Sequence, residues 1–163
     1  MKILLRTFLS LALIVWLGGE IFFPIVAAVT FTRLQPDTHT AGTIVGQLLR
    51  ILHGMGLVSA IVILAVLALA PAWGMLKPRA ALAAMFLVVL MIGCTVYSQF
   101  GIIPAMERDR RAAGGAIDTA DAVNSITVHF NQLHARSEQV EGAILLLGLA
   151  TVVLVAWAET AQT

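Results

Sequence analysis

FNQLHARSEQVEGAILLLGLATVVLVAWA, residues 130–158, decides how this chain is built. Its first half carries His134, Arg136, Ser137, Glu138 and Glu141, and its second half, from Gly142 to Ala158, carries no charge. Phe130, His134, Ser137 and Glu141 are spaced four, three and four apart, which places them on one face of one helix. Upstream, Val123, Ile126, Phe130 and Leu133 already keep helical spacing, and Val140 and Ile144 continue it. Asp118 and Asp121 suit an N-cap and a first-turn acid. The spacing therefore predicts one helix from near Thr119. Forty residues at 1.5 Å each give about 60 Å, about twice the thickness of a bilayer's hydrocarbon. The span itself is placed at 138–158, and 119–137 is expected to stand above the membrane as an amphipathic extension.

Composition leads to the same class. The chain has 163 residues, 60% hydrophobic and 12% charged, where a soluble domain is about a quarter charged. Its apolar residues fall in long blocks, expected as spans at 8–31, 51–73, 80–104 and 138–158. Backbone groups in lipid must satisfy one another, so helices are expected rather than strands. The fold class is all-α, an integral membrane four-helix bundle with an extended fourth helix, forming a single domain. The opening MKILLRTFLSLALIVWLGG resembles a signal peptide, but the apolar run continues to Phe31, too far for one, so it reads as the first span. Net charge is +1, which offers no basic surface for nucleic acid. Cys94 is the one cysteine and sits in an apolar block, where it reads as a small packing residue.

Four spans put Lys2, Arg6, Lys77 and Arg79 on one side, side A. Arg33, Arg50, Arg108, Arg110, Arg111 and Arg136 fall on the other, side B. Cytoplasmic loops are enriched in basic residues, and this balance is too even to set an orientation. MERDRRAAGG, after the third span, reads as a charged and then flexible connection. Asp37 or Thr38 suits the cap of a short helix running into span two. Gly42 and Gly46 form a G-x-x-x-G outside a span, a weak dimerisation signal.

The polar residues gather toward side B. His53 and Glu141 each stand one residue before the apolar run of their helix, and Arg50 and Glu138 each stand four before. If the two helices are neighbours, matched depth predicts the pairs His53–Glu141 and Arg50–Glu138, or a mixed cluster of the four, since charges near a bilayer boundary must pair or reach water. His134 is expected two to three turns above His53. Tyr97, Ser98 and Gln99 close the third span on the same side. Glu20 lies fourteen residues after Arg6, about 21 Å along the first helix and inside the hydrocarbon. An intramembrane carboxylate is costly and marks a functional site by default. Three readings stay open: a structural clamp, an ion or ligand path through Glu20, and a haem or copper site on His53 and His134. Enzyme patterns such as G-x-S-x-G, H-E-x-x-H or a phosphate loop do not occur, so no enzymatic activity is expected.

WLGGEIFFPIVAAVTFTRL (16–34) with GTIVGQLLRILHGMG (42–56), IIPAMERDRR (102–111) and FNQLHARSEQVEG (130–142) together resemble the transmembrane protein 205-like family, small four-helix membrane proteins of bacteria and eukaryotes with no assigned function. The resemblance implies a four-helix membrane fold and makes His134 and Ser137 signature positions. Glu141 stands where many members carry asparagine. A more distant likeness is to copper-resistance D-type membrane domains, which implies copper as a candidate ligand. The expectation is a multi-pass protein of a bacterial inner membrane, in contact with the lipid bilayer and acting through other membrane subunits as an accessory component.

Overall fold

The computed structural model describes residues 1–114, 117 and 125–160. Helix α1 spans Lys2–Arg33, α2 Thr38–Leu69 and α3 Pro78–Tyr97. A π-helical turn, Ser98–Ile102, joins α3 to α4, Ile103–Ala112, and α5 spans Ser125–Thr160. Four rods, with α3 to α4 counted as one, are long and apolar enough to cross a membrane. This is a multi-pass membrane protein with the architecture of a helical bundle.

The rods alternate in direction. At side A, Arg6 of α1 pairs with Glu159 of α5 at 3.0 Å, and Lys2 donates to the Gly74 carbonyl at 3.5 Å. The link from α2 to α3 turns at Gly74, whose φ of 60° suits a residue without Cβ. At side B the link from α1 to α2 is only 34–37. The Asp37 carboxylate caps α2 by accepting from the Thr40 N–H at 2.9 Å, and this bonding holds its pKa below the usual carboxylate value.

The side A half is densely packed. Trp16, Ile63, Leu67, Met91 and Ile144 are fully buried there, drawn from α1, α2, α3 and α5. Between helices in lipid there is little hydrophobic drive, so close packing of backbones must supply the attraction. Glycines permit it: Gly56 lies against the Trp16 indole, and Gly148 against Leu17 and Met91. The outer faces stay apolar, with Ile61, Phe86, Phe100 and Trp157 all strongly exposed, as lipid contact requires. Among the described residues the side B half holds a smaller second cluster, Leu49, Leu52 and Ile103, with Phe23 against it.

Several boundaries differ from the sequence reading. Helix α2 begins at Thr38 with Asp37 as its cap, as the sequence suggests, and the helix expected to be short is continuous with the second span through Leu69. The charged MERDRR of that connection is helical, with Glu107 paired to Arg111 at 3.1 Å and to Arg110 at 3.5 Å along the same helix. Arg110 and Arg111 also sit at the negative end of the α4 dipole. Gly42 is buried against the Arg110 guanidinium of its own chain, rather than free for a dimer. The expected start near Thr119 and the caps Asp118 and Asp121 lie outside the described residues. From Ser125, α5 runs unbroken for 36 residues, about 54 Å.

Candidate functional site

The π-helical turn sets the site. Pro104 has no N–H to give to a preceding carbonyl, and its ring crowds the turn before it. The chain widens there, with the Ile103 N–H bonding to Ser98 O, five residues back. Such single wide turns frequently accompany functional sites. Here the turn presents Ser98 and Gln99 to the bundle interior.

His53 of α2 is 1% exposed and both its ring nitrogens are engaged. Nδ1 lies 2.9 Å from Gln99 Oε1, and Nε2 lies 3.0 Å from Glu141 Oε1. Ser98 donates to the same Glu141 oxygen at 2.8 Å. An amide oxygen can only accept, so Nδ1 carries the proton toward Gln99. One further proton then lies between Nε2 and the carboxylate, and the pair is imidazolium with carboxylate or imidazole with carboxylic acid. Three helical rods are tied together by this chain of bonds.

Glu20 of α1 completes the cluster from the fourth rod. It is 5% exposed, and the fields of both Glu141 and His53 act on it. Trp16, one turn earlier, stands beside its carboxyl, but the indole N–H falls outside hydrogen-bonding geometry. Glu20 Oε1 and Glu141 Oε2 are both buried with no hydrogen-bond partner among the described residues. By helix rise, Glu20 is about 21 Å from the side A residue Arg6, and Glu141 about 27 Å from Glu159. The cluster therefore sits in the side B portion of a hydrocarbon about 30 Å thick.

Above it opens a cavity of about 990 Å³, bounded by α1, α2, α4 and α5. It runs from Glu20 and Glu141 at its floor to Thr38, His39 and Arg111 at its mouth. Its walls are largely apolar and include Phe23, Pro24, Phe31, Ile103 and Phe130. Beneath the floor, the fully buried Trp16, Ile63, Met91 and Ile144 seal the bundle toward side A.

The sequence-derived candidates divide. His53, Gln99, Glu141 and Glu20 come together, as does Ser98. Ser137 is buried and lines the cavity. Arg50 also lines it, yet the expected Arg50–Glu138 pair does not form: Glu138 lies 3.4 Å from His134 on its own helix. Arg50 has no ion pair among the described residues. His134 is exposed, stacked on Phe130 with ring centroids 6.4 Å apart. His53, by contrast, is buried with both ring nitrogens in hydrogen bonds. Tyr97 faces outward, where its hydroxyl accepts from Arg136 at 3.4 Å. His129, on the exposed surface of α5, lies 2.7 Å from Asp109 and ties α4 to α5. Among the described residues no three His, Cys, Asp or Glu side chains are grouped as a metal site. Sequence reasoning misses Trp16, although its position four residues before Glu20 puts it on the same helix face.

The pattern of the domain of unknown function DUF4149 matches residues 11–114. The chain belongs to this family. The match takes in Glu20, Arg50, His53, Ser98 and Gln99, and ends before Glu141, so the DUF4149 region supplies three of the four rods around the floor. No curated protein and no solved structure matches this member of the family.

Proposed function

We propose that this DUF4149 protein is a non-enzymatic protein of a bacterial inner membrane that takes up a proton or cation at Glu20 from side B. One observation carries the reading: Glu20 is 5% exposed at the floor of a large cavity, with Oε1 unpartnered. A pure clamp has no use for it. His53, Gln99, Ser98 and Glu141 already bond to one another without Glu20. A carboxyl kept in the bundle interior at a cost of several kcal/mol points to a task beyond packing. The test is reconstitution in liposomes with a trapped pH dye and an imposed proton or sodium gradient. Glu20→Gln should lower the flux at least tenfold while helicity and melting temperature stay at the wild-type level. Equal flux in the variant refutes the reading.

A second reading, an accessory subunit of a membrane complex, draws on a separate feature. A shallow outer groove between α1 and α2, lined by Phe8, Leu11, Val15, Met55 and Val58, has Gly54 and Ser59 among its small residues. Small residues let a further helix approach closely. Extraction in mild detergent should then retain a partner chain, and a monomer in every gentle condition removes this reading. The likeness to the transmembrane protein 205-like family, and the more distant one to copper-resistance D-type domains, rest on the sequence stretches 16–34, 42–56, 102–111 and 130–142 and remain proposals beside the DUF4149 match.

A further inference from the structure

We infer that the side B cavity binds an amphipathic organic monocation whose primary ammonium head sits between Glu20 and Glu141. This rests on the proposed role of Glu20 as a cation site and adds the chemical class of the ligand.

The floor defines the head. Glu20 Oε1 and Glu141 Oε2 come from different helices, α1 and α5, and both are buried without partners among the described residues. Ionised carboxylate oxygens only accept hydrogen bonds, so their complement must donate at least two. A primary ammonium offers three donors and a full positive charge. A quaternary ammonium offers no donor. With one proton shared between His53 and Glu141, that pair is neutral. The floor then carries a single negative charge when Glu20 is ionised, which one monocation neutralises.

The walls define the body. A cavity of about 990 Å³ matches a drug-sized molecule and far exceeds a bare ion. A hard metal ion would want six or more oxygens around it, whereas Phe23, Pro24, Phe31 and Ile103 offer hydrocarbon. The Phe130 ring is already covered by Arg110, whose guanidinium carbon is 5.7 Å from the ring centroid. Arg50, exposed along the wall and without an ion pair among the described residues, opposes a second positive charge on the ligand. A single ammonium on an apolar or aromatic body satisfies floor and walls together.

The experiment is calorimetry on the full chain in nanodiscs of uncharged zwitterionic lipid, with empty nanodiscs subtracted. The probes are 4-phenylbutylammonium, its alcohol analogue 4-phenylbutanol, its trimethylammonium analogue, and sodium ion. The primary ammonium should bind saturably at one per chain, at least tenfold tighter than the other three. Glu20→Gln should weaken it at least tenfold with the melting temperature retained, because the His53–Glu141 pair is left intact. Equal binding of the alcohol, equal or tighter binding of the trimethylammonium or sodium ion, or no saturable binding of the primary ammonium by folded protein overturns the inference. Flux through Glu20 is read separately in liposomes. Flux that depends on Glu20 without ammonium binding sinks this inference and spares the proposed function. Binding that depends on Glu20 without flux sustains the inference and sinks uptake across the membrane.

Discussion

Replacing His53 by leucine tests the central cluster most directly. The side chain is buried and makes two hydrogen bonds, 2.9 Å to Gln99 and 3.0 Å to Glu141. Leucine has similar bulk but no donor, so both partners lose their bond while remaining where they are. Removing one member of a buried charged pair costs about 3–5 kcal/mol, because the other charge is left unpaired. The lower end applies here, since Ser98 still donates to Glu141 at 2.8 Å and the Glu141 side chain is 15% exposed beside the cavity. About 3 kcal/mol, at about 2–4 °C per kcal/mol for a chain of this length, lowers the melting temperature by at least about 6 °C. The assay is thermal unfolding in mild detergent, followed by circular dichroism. The double variant His53→Leu with Glu141→Leu should regain most of that loss, because it strands no carboxylate. A His53→Leu melting temperature within about 2 °C of wild type, or a double variant whose losses simply add, would refute the reasoning.

Two further measurements bear on the frame around the site. A Cβ on Gly56 would stand 2.6 Å from Trp16 Nε1, and Trp16 is fully buried, so Gly56→Ala should cost about 1–3 kcal/mol. Gly46 on the same helix has no neighbour within 4 Å of that position, so Gly46→Ala should instead gain about 0.5–1 kcal/mol; equal effects of the two in the same melting assay would contradict the packing described. Asp37→Ala removes the cap of α2, and its effect depends on pH with a definite sign. The Asp37 pKa is lowered in the folded chain, so the cap contributes above the ordinary carboxylate value of 3.8 and fades as pH falls through the folded value. Hydrogen exchange at residues 38–42 should therefore be faster in Asp37→Ala than in wild type at pH 7, with the gap closing toward pH 3. A constant gap across that range would show that the carboxylate is not the cap.

Much of the candidate site was legible from depth along the helices. His53 and Glu141 each precede an apolar run by one residue, and both helices enter from the same side, so their heights match whatever the neighbouring chain does. Glu20 declared itself through cost alone. Height is only one coordinate, however. Arg50 and Glu138 are also matched in height, yet Glu138 turns to His134 one helical turn away on α5. Which way a side chain points around its helix axis depends on how each helix is rotated against its neighbours, and spacing within one segment does not contain that angle.

Four long apolar helices alternating across a membrane, with polarity concentrated toward side B, can be read from the residues alone. Both come from local quantities, the length of an apolar run against the thickness of hydrocarbon and the 3.6-residue period. Tertiary structure alone decided that Ser98 and Gln99 reach His53 and Glu141, because the wide turn at Ser98–Ile102 adds a residue to the helix and rotates α4 away from the ideal period. It alone decided the cavity as well. A void is a property of what four helices fail to fill between them: here bulky side chains meet over glycines toward side A, while among the described residues the cluster toward side B is the small one of Leu49, Leu52, Ile103 and Phe23.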